Sequence, residues 1–297
     1  MDISVALGGG GSKGNSHIGV LRRLEQEGYR IRAVAGTSFG GIVSVFYAAG
    51  YSPAQIEDLF AELDQASLYG RGANDRPSLL GLAGASKWFE EIFGGRTFAD
   101  LNLPCAVTAV DLNCGCEVTL SEGRLVDALM ATIAIPGIFP PRHIGDWELV
   151  DGGVLNPVPV SVARMLAPGL PVVAVILTEA LGISAKTWTM PMPSYLPRQI
   201  VDRLARLSYA QAFDIFLRSL DIVDRAVAEY RLAADKPEIV IRPNVHHIEL
   251  LGKVDVRLVA RYGDDATEVI LPELKRVVSW PAKTVRQFRK LVSKDFQ

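Results

Sequence analysis

The alternation of apolar runs and glycine-rich turns in the first fifty residues predicts two consecutive strand–helix units. An apolar run bounded by glycine predicts a strand over residues 3–7, and helical spacing of apolar residues follows over 15–26. A second strand is predicted over 31–35, and it leads through a sharp turn into an apolar helix over 42–49. Strand–helix units in succession imply a parallel sheet with helices on its faces.

The rest of the chain continues this α/β pattern without an internal repeat or a clear domain boundary. Further strands are predicted over 105–110, 117–120, 148–150, 171–177 and 239–241, and helices over 53–63, 88–93, 125–133, 159–166, 199–234 and beyond 241. Residues 67–85 are rich in Gly, Asn, Ser and Pro, which predicts a long loop of the kind used as a lid or binding loop. We expect one domain over 1–297, with its core in 3–180 and a helical part over 196–297.

Composition and charge exclude several classes of protein. With 49% apolar residues in 297, the chain can bury a sizeable core. A net charge of −2 gives no reason to expect a nucleic-acid partner. The N-terminus has no signal-peptide pattern, and no apolar run reaches the roughly 18 residues of a membrane span. We therefore expect a cytoplasmic protein.

Two segments could bring such a protein to a membrane surface. Residues 273–297 carry seven basic and two acidic residues, a net charge of +5, which favours anionic surfaces unless it is only a solvated helix face. Residues 178–197 carry large apolar side chains among prolines, which suit an interfacial patch or lid, or else core or dimer packing. Those side chains are Trp188, Met190, Met192, Tyr195 and Leu196.

The three cysteines give no sign of a disulfide framework or a metal site. Cys105, Cys114 and Cys116 are an odd and sparse set, which argues against a disulfide framework. Cys114 and Cys116 flank one glycine and lack a second ligand pair at zinc-site spacing. We interpret them as part of a turn between two strands, and we expect no metal.

Ser38 stands in the pattern Gly36-Thr37-Ser38-Phe39-Gly40, between an apolar strand and an apolar helix. This G-x-S-x-G pattern is typical of a nucleophile elbow, in which small residues relieve the crowding around a strained serine. The serine is then exposed at the end of the sheet, at the start of the next helix. The five residues alone leave a catalytic serine and a structural turn equally open.

A glycine loop over residues 8–14 joins the first strand to its helix. Successive glycines let backbone N–H groups converge on a phosphate or a developing oxyanion. Gly9, Gly11 and Gly14 also fit a dinucleotide fingerprint, but the acid that this fold needs after the second strand is absent. A P-loop fits poorly, since Lys13 follows Ser12.

The serine needs a base, and the sequence offers histidine and aspartate candidates. His17 lies in the first helix and is expected to cap or pack there, and His143 lies on a proline-rich loop. His246 and His247 come late enough for an α/β-hydrolase triad, but no acid precedes them at a matching position.

Asp151 is the better candidate for this base. It follows an apolar strand end and precedes Gly152 and Gly153. An aspartate is a weak base at its ordinary pKa of about 3.9, but desolvation among apolar neighbours raises that value. Asp-Gly-Gly on its own is a turn signal. Asp111, after another strand, is interpreted as a structural turn residue.

Taken together, these blocks resemble the patatin-like phospholipase family. The glycine loop over 9–14 with His17-Ile18-Gly19-Val20, the Ser38 elbow and Asp151-Gly152-Gly153 match that family's blocks in the same order. Residues 135–141 resemble the family segment before the aspartate, and residues 239–243 resemble a late strand of its bacterial and neuropathy-target-esterase-like members. The resemblance covers residues 3 to about 180 well and the remainder more loosely.

The resemblance implies a three-layer α/β fold and a Ser38–Asp151 dyad that acts through an acyl-enzyme without a cofactor. The expected substrate is a phospholipid or lysophospholipid, cleaved without calcium. Alternatives are a carboxylesterase or acyltransferase with the same dyad and, remotely, a non-catalytic lipid- or nucleotide-binding module. Lys13 fills a basic position where it could attract a lipid phosphate or pair with a carboxylate. The implied oxyanion hole comprises Gly9, Gly10, Gly11, Ser12, Lys13 and Gly14, and the elbow and turn glycines are Gly36, Gly40, Gly152 and Gly153.

Overall fold

An eight-stranded mixed sheet forms the centre of the structure, a computed structural model that describes residues 1–70, 78, 80–179 and 208–278. Its strands are β1 (Asp2–Leu7), β2 (Arg30–Thr37), β3 (Cys105–Asp111), β4 (Cys116–Leu120), β5 (Arg142–Ile144), β6 (Trp147–Asp151), β7 (Val172–Val175) and β8 (Ile239–Ile241). Their order is β5-β6-β3-β2-β1-β7-β8, with β4 also paired to β3. Strands β1, β2, β3, β7 and β8 are parallel, whereas β4 and β6 run antiparallel to β3 and β5 runs antiparallel to β6.

Helices cover both faces of this sheet. They are α1 (Ser16–Gln26), α2 (Phe39–Ala48), α3 (Pro53–Glu62), α4 (Ala83–Phe93), α5 (Leu125–Thr132), α6 (Val160–Leu166), α7 (Ser208–Asp235) and α8 (Val256–Val278). The mostly parallel α/β architecture predicted from the sequence is therefore confirmed.

Side chains of the parallel strands alternate between two hydrophobic cores. Ile3, Val5 and Leu7 of β1 point into the larger core, which is shared with α1 to α5 and α8. Ala6 of β1 points into the smaller core, which is shared with α6 and α7. This period-2 alternation buries both faces of the sheet. We call the face that packs on the larger core the first face, and the face that packs on the smaller core the second face. These two cores and the sheet between them give the predicted three layers.

The structure differs from the predicted elements in two places. Strand β5 was missed because three residues between prolines and a turn show no period-2 pattern. The predicted loop over 67–85 overlaps the end of a short 3-10 turn (Gln65–Leu68) and the first turn of α4. After β8, α8 is one of the predicted C-terminal helices and contains Pro272, and any further helix over 279–297 lies outside the described residues.

The expectation for the cysteines is wrong in one respect. Cys114 and Cys116 form a disulfide in the turn that joins β3 to β4, while Cys105 is a buried free thiol. The turn itself was predicted. It brings the two Cα atoms to 5.3 Å, within the range of a disulfide, so an odd total count did not prevent a local pair.

Two predicted surface features lie wholly or largely outside the described residues. The first is the predicted interfacial patch or lid over residues 178–197, of which residues 180–197 are not described. The second is the part of the basic tail beyond residue 278. Among the helices that are described, none has the length and hydropathy needed to span a bilayer.

The ends of β2 and β6 meet on β3. Thr37, the last residue of β2, pairs with Thr108, whereas Asp151, the last residue of β6, pairs with the next residue, Ala109. Because β2 is parallel and β6 antiparallel to β3, the two chain ends approach each other from opposite directions. The residue after Thr37 is therefore held close to Asp151.

Candidate active site

Ser38 occupies a sharp turn between β2 and α2. Its φ of 54° and ψ of −126° lie in a region that residues other than glycine rarely adopt. The turn requires glycine on both sides. A Cβ on Gly36 would lie 2.3 Å from the carbonyl oxygen of Gly40, and one on Gly40 would lie 2.2 Å from that of Leu7. Ser38 is thereby fixed at the carboxyl end of the parallel strands, directly before the first residue of α2.

The Ser38 hydroxyl donates a hydrogen bond of 2.5 Å to Oδ2 of Asp151. Both residues are buried, with exposed fractions of 7% and 5%. The other carboxylate oxygen, Oδ1, accepts a 2.8 Å bond from the backbone N–H of Gly153. Gly152 allows this turn, because a Cβ there would lie 2.2 Å from Thr108 Oγ1. Serine and aspartate are thus in direct contact, and the aspartate is oriented through its second oxygen.

The environment of Asp151 changes its basicity. Burial raises the pKa of Asp151 from 3.8 to about 6, although the hydrogen bonds from Ser38 and Gly153 act in the opposite direction. A carboxylate with this pKa is still mostly ionised at pH 7. It is also a considerably stronger base than an exposed aspartate, which suits it to accept a proton from a hydroxyl.

The end of α5 contacts the backbone of both residues. The N–H of Ser38 donates to Thr132 Oγ1 at 2.9 Å, and the N–H of Asp151 donates to the carbonyl oxygen of Ala134 at 2.9 Å. No sequence pattern indicates this role, because a threonine in an apolar helix carries no motif.

The glycine loop lies against the elbow. A Cβ on Gly9 would lie 3.3 Å from Ser38 Cβ, and one on Gly14 would lie 2.3 Å from the Phe39 ring. Gly11 has a φ of 56°, and a Cβ there would lie 2.0 Å from the carbonyl oxygen of Leu250. Close packing therefore excludes side chains at Gly11 and Gly14 and leaves little room for one at Gly9, which keeps the loop backbone beside the serine.

The predicted oxyanion donors are not all available. The N–H of Gly9 donates to the carbonyl oxygen of Pro157 at 2.9 Å, and that of Ser12 donates to the carbonyl oxygen of Leu250 at 2.8 Å. The N–H groups of Gly10 and Gly11 donate to no acceptor within the part of the chain that the structure describes. These two groups are therefore able to bind an oxygen of a ligand.

A charged cluster lies where α7 approaches the dyad. Arg225 forms ion pairs with Asp221 at 2.7 Å and with Glu179 at 3.3 Å. Lys13 of the glycine loop interacts electrostatically with Asp221, Asp224 and Glu179. Burial, with the nearby charge of Arg225, lowers the pKa of Lys13 more than these carboxylates raise it. Of its two predicted roles, the surroundings favour interaction with carboxylates.

Asp224 joins this cluster to the dyad. Its Oδ1 lies 3.9 Å from the position that a Cβ on Gly153 would occupy. It keeps some exposed surface but is closely surrounded by protein atoms, and this burial raises its pKa to about 7. The value of about 7 also includes the negative charges of Asp151 and Asp221, which raise this pKa, and nearby basic side chains, which lower it. No sequence pattern distinguishes this aspartate within the long helix.

The four histidines have other surroundings. His17 is fully buried, its Nε2–H donates to the carbonyl oxygen of Gly8 at 2.8 Å, and burial lowers its pKa to about 4. His143, His246 and His247 are exposed. Since the elbow serine bonds to Asp151, the geometry does not favour a histidine-based triad.

Asp111 has a structural position. It is buried at the end of β3, and its Oδ1 accepts hydrogen bonds from the backbone N–H of Asn113 at 3.2 Å and of Glu148 at 3.0 Å. These bonds fit the structural turn role inferred from the sequence. Among the described side chains, no group of three or more His, Cys, Asp or Glu is arranged to hold a metal ion.

An apolar cavity of about 120 Å³ opens beside Ser38 on the first face of the sheet. An engineered apolar cavity of ~150 Å³ admits benzene, so this space can take a short hydrocarbon segment. Aromatic side chains form much of its wall, and the glycine loop borders it. Its lining includes Phe39, Ile42, Phe60, Leu82, Trp88 and Phe89.

The sequence matches the family model described as patatin-like phospholipase over residues 5–164. An uncharacterised NTE family protein of Mycobacterium bovis is 33% identical over 171 residues, which cover 54% of this chain and 44% of that protein. Patatin-like phospholipase domain-containing protein 6 of Mus musculus is 27% identical over 175 residues, which cover 55% of this chain and 13% of that protein. The matches thus span less than half the length of these curated relatives.

A solved structure shares the architecture. VipD from Legionella pneumophila superposes with a TM-score of 0.56 over 92% of this chain and 66% of that one, at 12% sequence identity. At this identity the likeness concerns the fold alone.

Proposed function

Because the chain belongs to the patatin-like phospholipase family, we propose that it is a serine hydrolase that cleaves acyl esters of phospholipids or lysophospholipids. The observation that carries the proposal is the 2.5 Å hydrogen bond between the buried Ser38 hydroxyl and Asp151. A nucleophile and a base in such contact are the minimum for covalent catalysis by a serine.

In the proposed reaction, Asp151 accepts the hydroxyl proton as Ser38 Oγ attacks the ester carbonyl carbon. The carbonyl oxygen becomes an oxyanion, and the N–H groups of Gly10 and Gly11 are the donors proposed to bind it. Collapse of this intermediate breaks the ester C–O bond. Asp151 then returns the proton to the leaving alcohol, and the acyl group remains on Ser38.

The second half repeats the proton transfers with water as the nucleophile. Asp151 takes a proton from the water, whose oxygen attacks the acyl-enzyme carbonyl, and Ser38 regains its proton when the fatty acid leaves. The raised pKa of Asp151 suits both directions, because a group with a pKa near the working pH exchanges protons most effectively.

The cavity supports an apolar acyl group as the part of the substrate that enters the protein. It borders Ser38 and is lined mainly by hydrocarbon and aromatic side chains. Each buried methylene contributes about 0.8 kcal/mol of binding, so even a short segment of a fatty acyl chain would be held firmly.

Labelling with a fluorophosphonate probe and mass spectrometry of the lipid products together test this proposal. We expect the probe to label wild-type protein but not Ser38→Ala, and free fatty acid to be released from a mixed phospholipid panel by wild type only. His246→Ala and His247→Ala are matched controls that should keep activity. Failure of the intact wild type to react with the probe would reject the proposed function.

A further inference from the structure

We propose that the end of α5 is a clamp that positions both members of the dyad, and that Thr132 is its positioning residue. The clamp is defined here as Thr132 and Ala134. The inference rests on the proposed function of Ser38 and Asp151, and it assigns Thr132 no contact with the substrate.

The clamp holds the two residues through their backbones. Thr132 Oγ1 accepts a 2.9 Å bond from the N–H of Ser38, while the carbonyl oxygen of Ala134 accepts a 2.9 Å bond from the N–H of Asp151. Thr132, Ala134 and both partners are buried. One short segment therefore contacts two residues that lie 113 positions apart in the chain.

The Thr132 hydroxyl is itself fixed in direction. It donates to the carbonyl oxygen of Thr108 at 2.7 Å, so its single proton is used there and its lone pair faces the N–H of Ser38. Thr108 belongs to β3, the strand on which β2 and β6 meet. The hydroxyl thus connects the elbow to the central sheet through two hydrogen bonds in series.

This bond bears directly on the strained conformation of Ser38. A residue with φ of 54° persists only where its surroundings determine it from several sides. The carbonyl oxygen of Ser38 accepts a 3.2 Å bond from the N–H of Ile42 within α2, and its N–H is held by Thr132. Without the Thr132 hydroxyl, the N–H side of Ser38 would be buried without an acceptor, and the turn could relax.

The surroundings of Thr132 also select the test variants. A Cβ on Gly41 would lie 3.0 Å from the Thr132 methyl group, so the side chain fits closely against α2. Thr132→Val keeps this shape and removes the hydroxyl, whereas Thr132→Ser keeps the hydroxyl. Thr267→Val is a matched control, since Thr267 is equally buried and its hydroxyl donates to Gly263 of its own helix at 2.8 Å.

The first readout is kcat per active site, where the number of active sites is counted by fluorophosphonate labelling. We expect Thr132→Val to lower it by about 10- to 100-fold with KM unchanged, the range expected for misplaced catalytic groups. Thr132→Ser should retain most of the activity. A purely structural effect would lower the labelled fraction but leave kcat for each labelled site intact, as we expect for Thr267→Val. Equal kcat in Thr132→Val and Thr267→Val would overturn the clamp.

The second readout is hydrogen exchange of the Ser38 amide, measured by NMR, and it does not depend on activity. We expect protection in the wild type and in Thr132→Ser, and exchange at least about tenfold faster in Thr132→Val, since the bond that protects the amide is gone. Unchanged exchange in Thr132→Val would overturn the clamp even if hydrolysis fell. A wild type that hydrolyses no ester would reject the proposed function, and this exchange measurement would still decide the clamp.

Discussion

The two sides of the Ser38–Asp151 pair differ in chemistry. On the first face of the sheet lies a cavity with an apolar and aromatic lining. Where α7 approaches, charged side chains interact closely instead: Lys13, Glu179, Asp221, Asp224 and Arg225. An ester lipid is divided in the same way, with a hydrocarbon chain on one side of the reacting carbonyl and a polar group on the other. The difference therefore favours a substrate that enters with its acyl chain toward the first face.

At this boundary, burial affects the Asp151 carboxyl, and no charge of the cluster is among the causes that shift its pKa. Burial is the largest cause of the raised pKa of Asp151. The charges around α7 act on Lys13 and on Asp224, whose pKa burial first, and then the charges of Asp151 and Asp221, raise to about 7. Three substitutions test this division, one at the boundary and one on each side.

The largest effect is expected from Asp151→Asn. Loss of the proposed general base should lower kcat by about 10²- to 10⁴-fold. The same change should stabilise the fold at pH 8. The carboxyl has a pKa of about 6 when folded and about 3.9 when unfolded, so the wild type loses stability as pH rises through this interval. The free energy of unfolding of Asp151→Asn should exceed that of the wild type by about 3 kcal/mol above pH 6, and this difference should vanish below pH 4. Urea unfolding at several pH values measures it.

Asp111→Asn is the matched control for this variant. Asp111 is also a buried aspartate at the end of a strand, but its carboxylate accepts several hydrogen bonds, two of them from backbone N–H groups, and does not contact Ser38. We expect it to lose stability and keep catalysis, the opposite pattern. Full activity in Asp151→Asn would reject the dyad.

An intermediate effect is expected from Trp88→Ala on the apolar side. Trp88 lines the cavity and packs against Phe46 and Phe89, with ring centroids 5.4 and 5.3 Å apart. In the wild type, kcat/KM should rise about fourfold for each methylene added to the acyl chain until the cavity is filled. Removing the indole ring should move this plateau to longer chains, as measured with a series of p-nitrophenyl esters.

Trp147→Ala provides the comparison, since Trp147 is 44% exposed at the start of β6 and lies outside the cavity lining. The chain-length profile of this variant should match the wild type. An unchanged profile in Trp88→Ala would show that the acyl chain does not occupy the cavity.

The smallest effect is expected from Asp224→Asn on the charged side. Burial and the negative charge of Asp151 raise the pKa of Asp224 to about 7, and the pKa of Asp151 is about 6. We therefore predict that the two carboxyls titrate as a coupled pair. As the pH is lowered, kcat/KM of the wild type should therefore fall over a broad pH range, the acid limb of its profile. In Asp224→Asn this fall should occupy a narrower range around pH 6, with little change in kcat at pH 8. Asp235→Asn, later on α7, should leave the profile broad. A broad limb in Asp224→Asn would exclude the coupling.

The sequence predicted most of the fold because apolar periodicity is strong where both faces of a sheet are buried. It also singled out Ser38, Asp151 and the glycine loop, since each lies in a short pattern with a local steric reason. What it could not provide are contacts made by single residues across the sheet. Thr132 and Asp224 belong to helices whose patterns report only burial, and their neighbours come from distant segments.

The glycine loop shows the same limit within one motif. Consecutive glycines indicate a surface rich in N–H groups, but which of them are free depends on chain segments far away. The N–H of Ser12 is used by Leu250, and that of Gly9 by Pro157. No local pattern contains those acceptors.

The meeting of β2 and β6 on β3 makes the dyad tolerant of changes in chain length. Because Thr37 and Asp151 pair with consecutive residues of one strand, the spacing of serine and aspartate is set by strand pairing and not by the chain between them. Insertions in the turn after Asp111 should therefore be harmless to this spacing. A shift of one residue within β3 would instead move Asp151 by about 3.3 Å and turn its side chain to the other face.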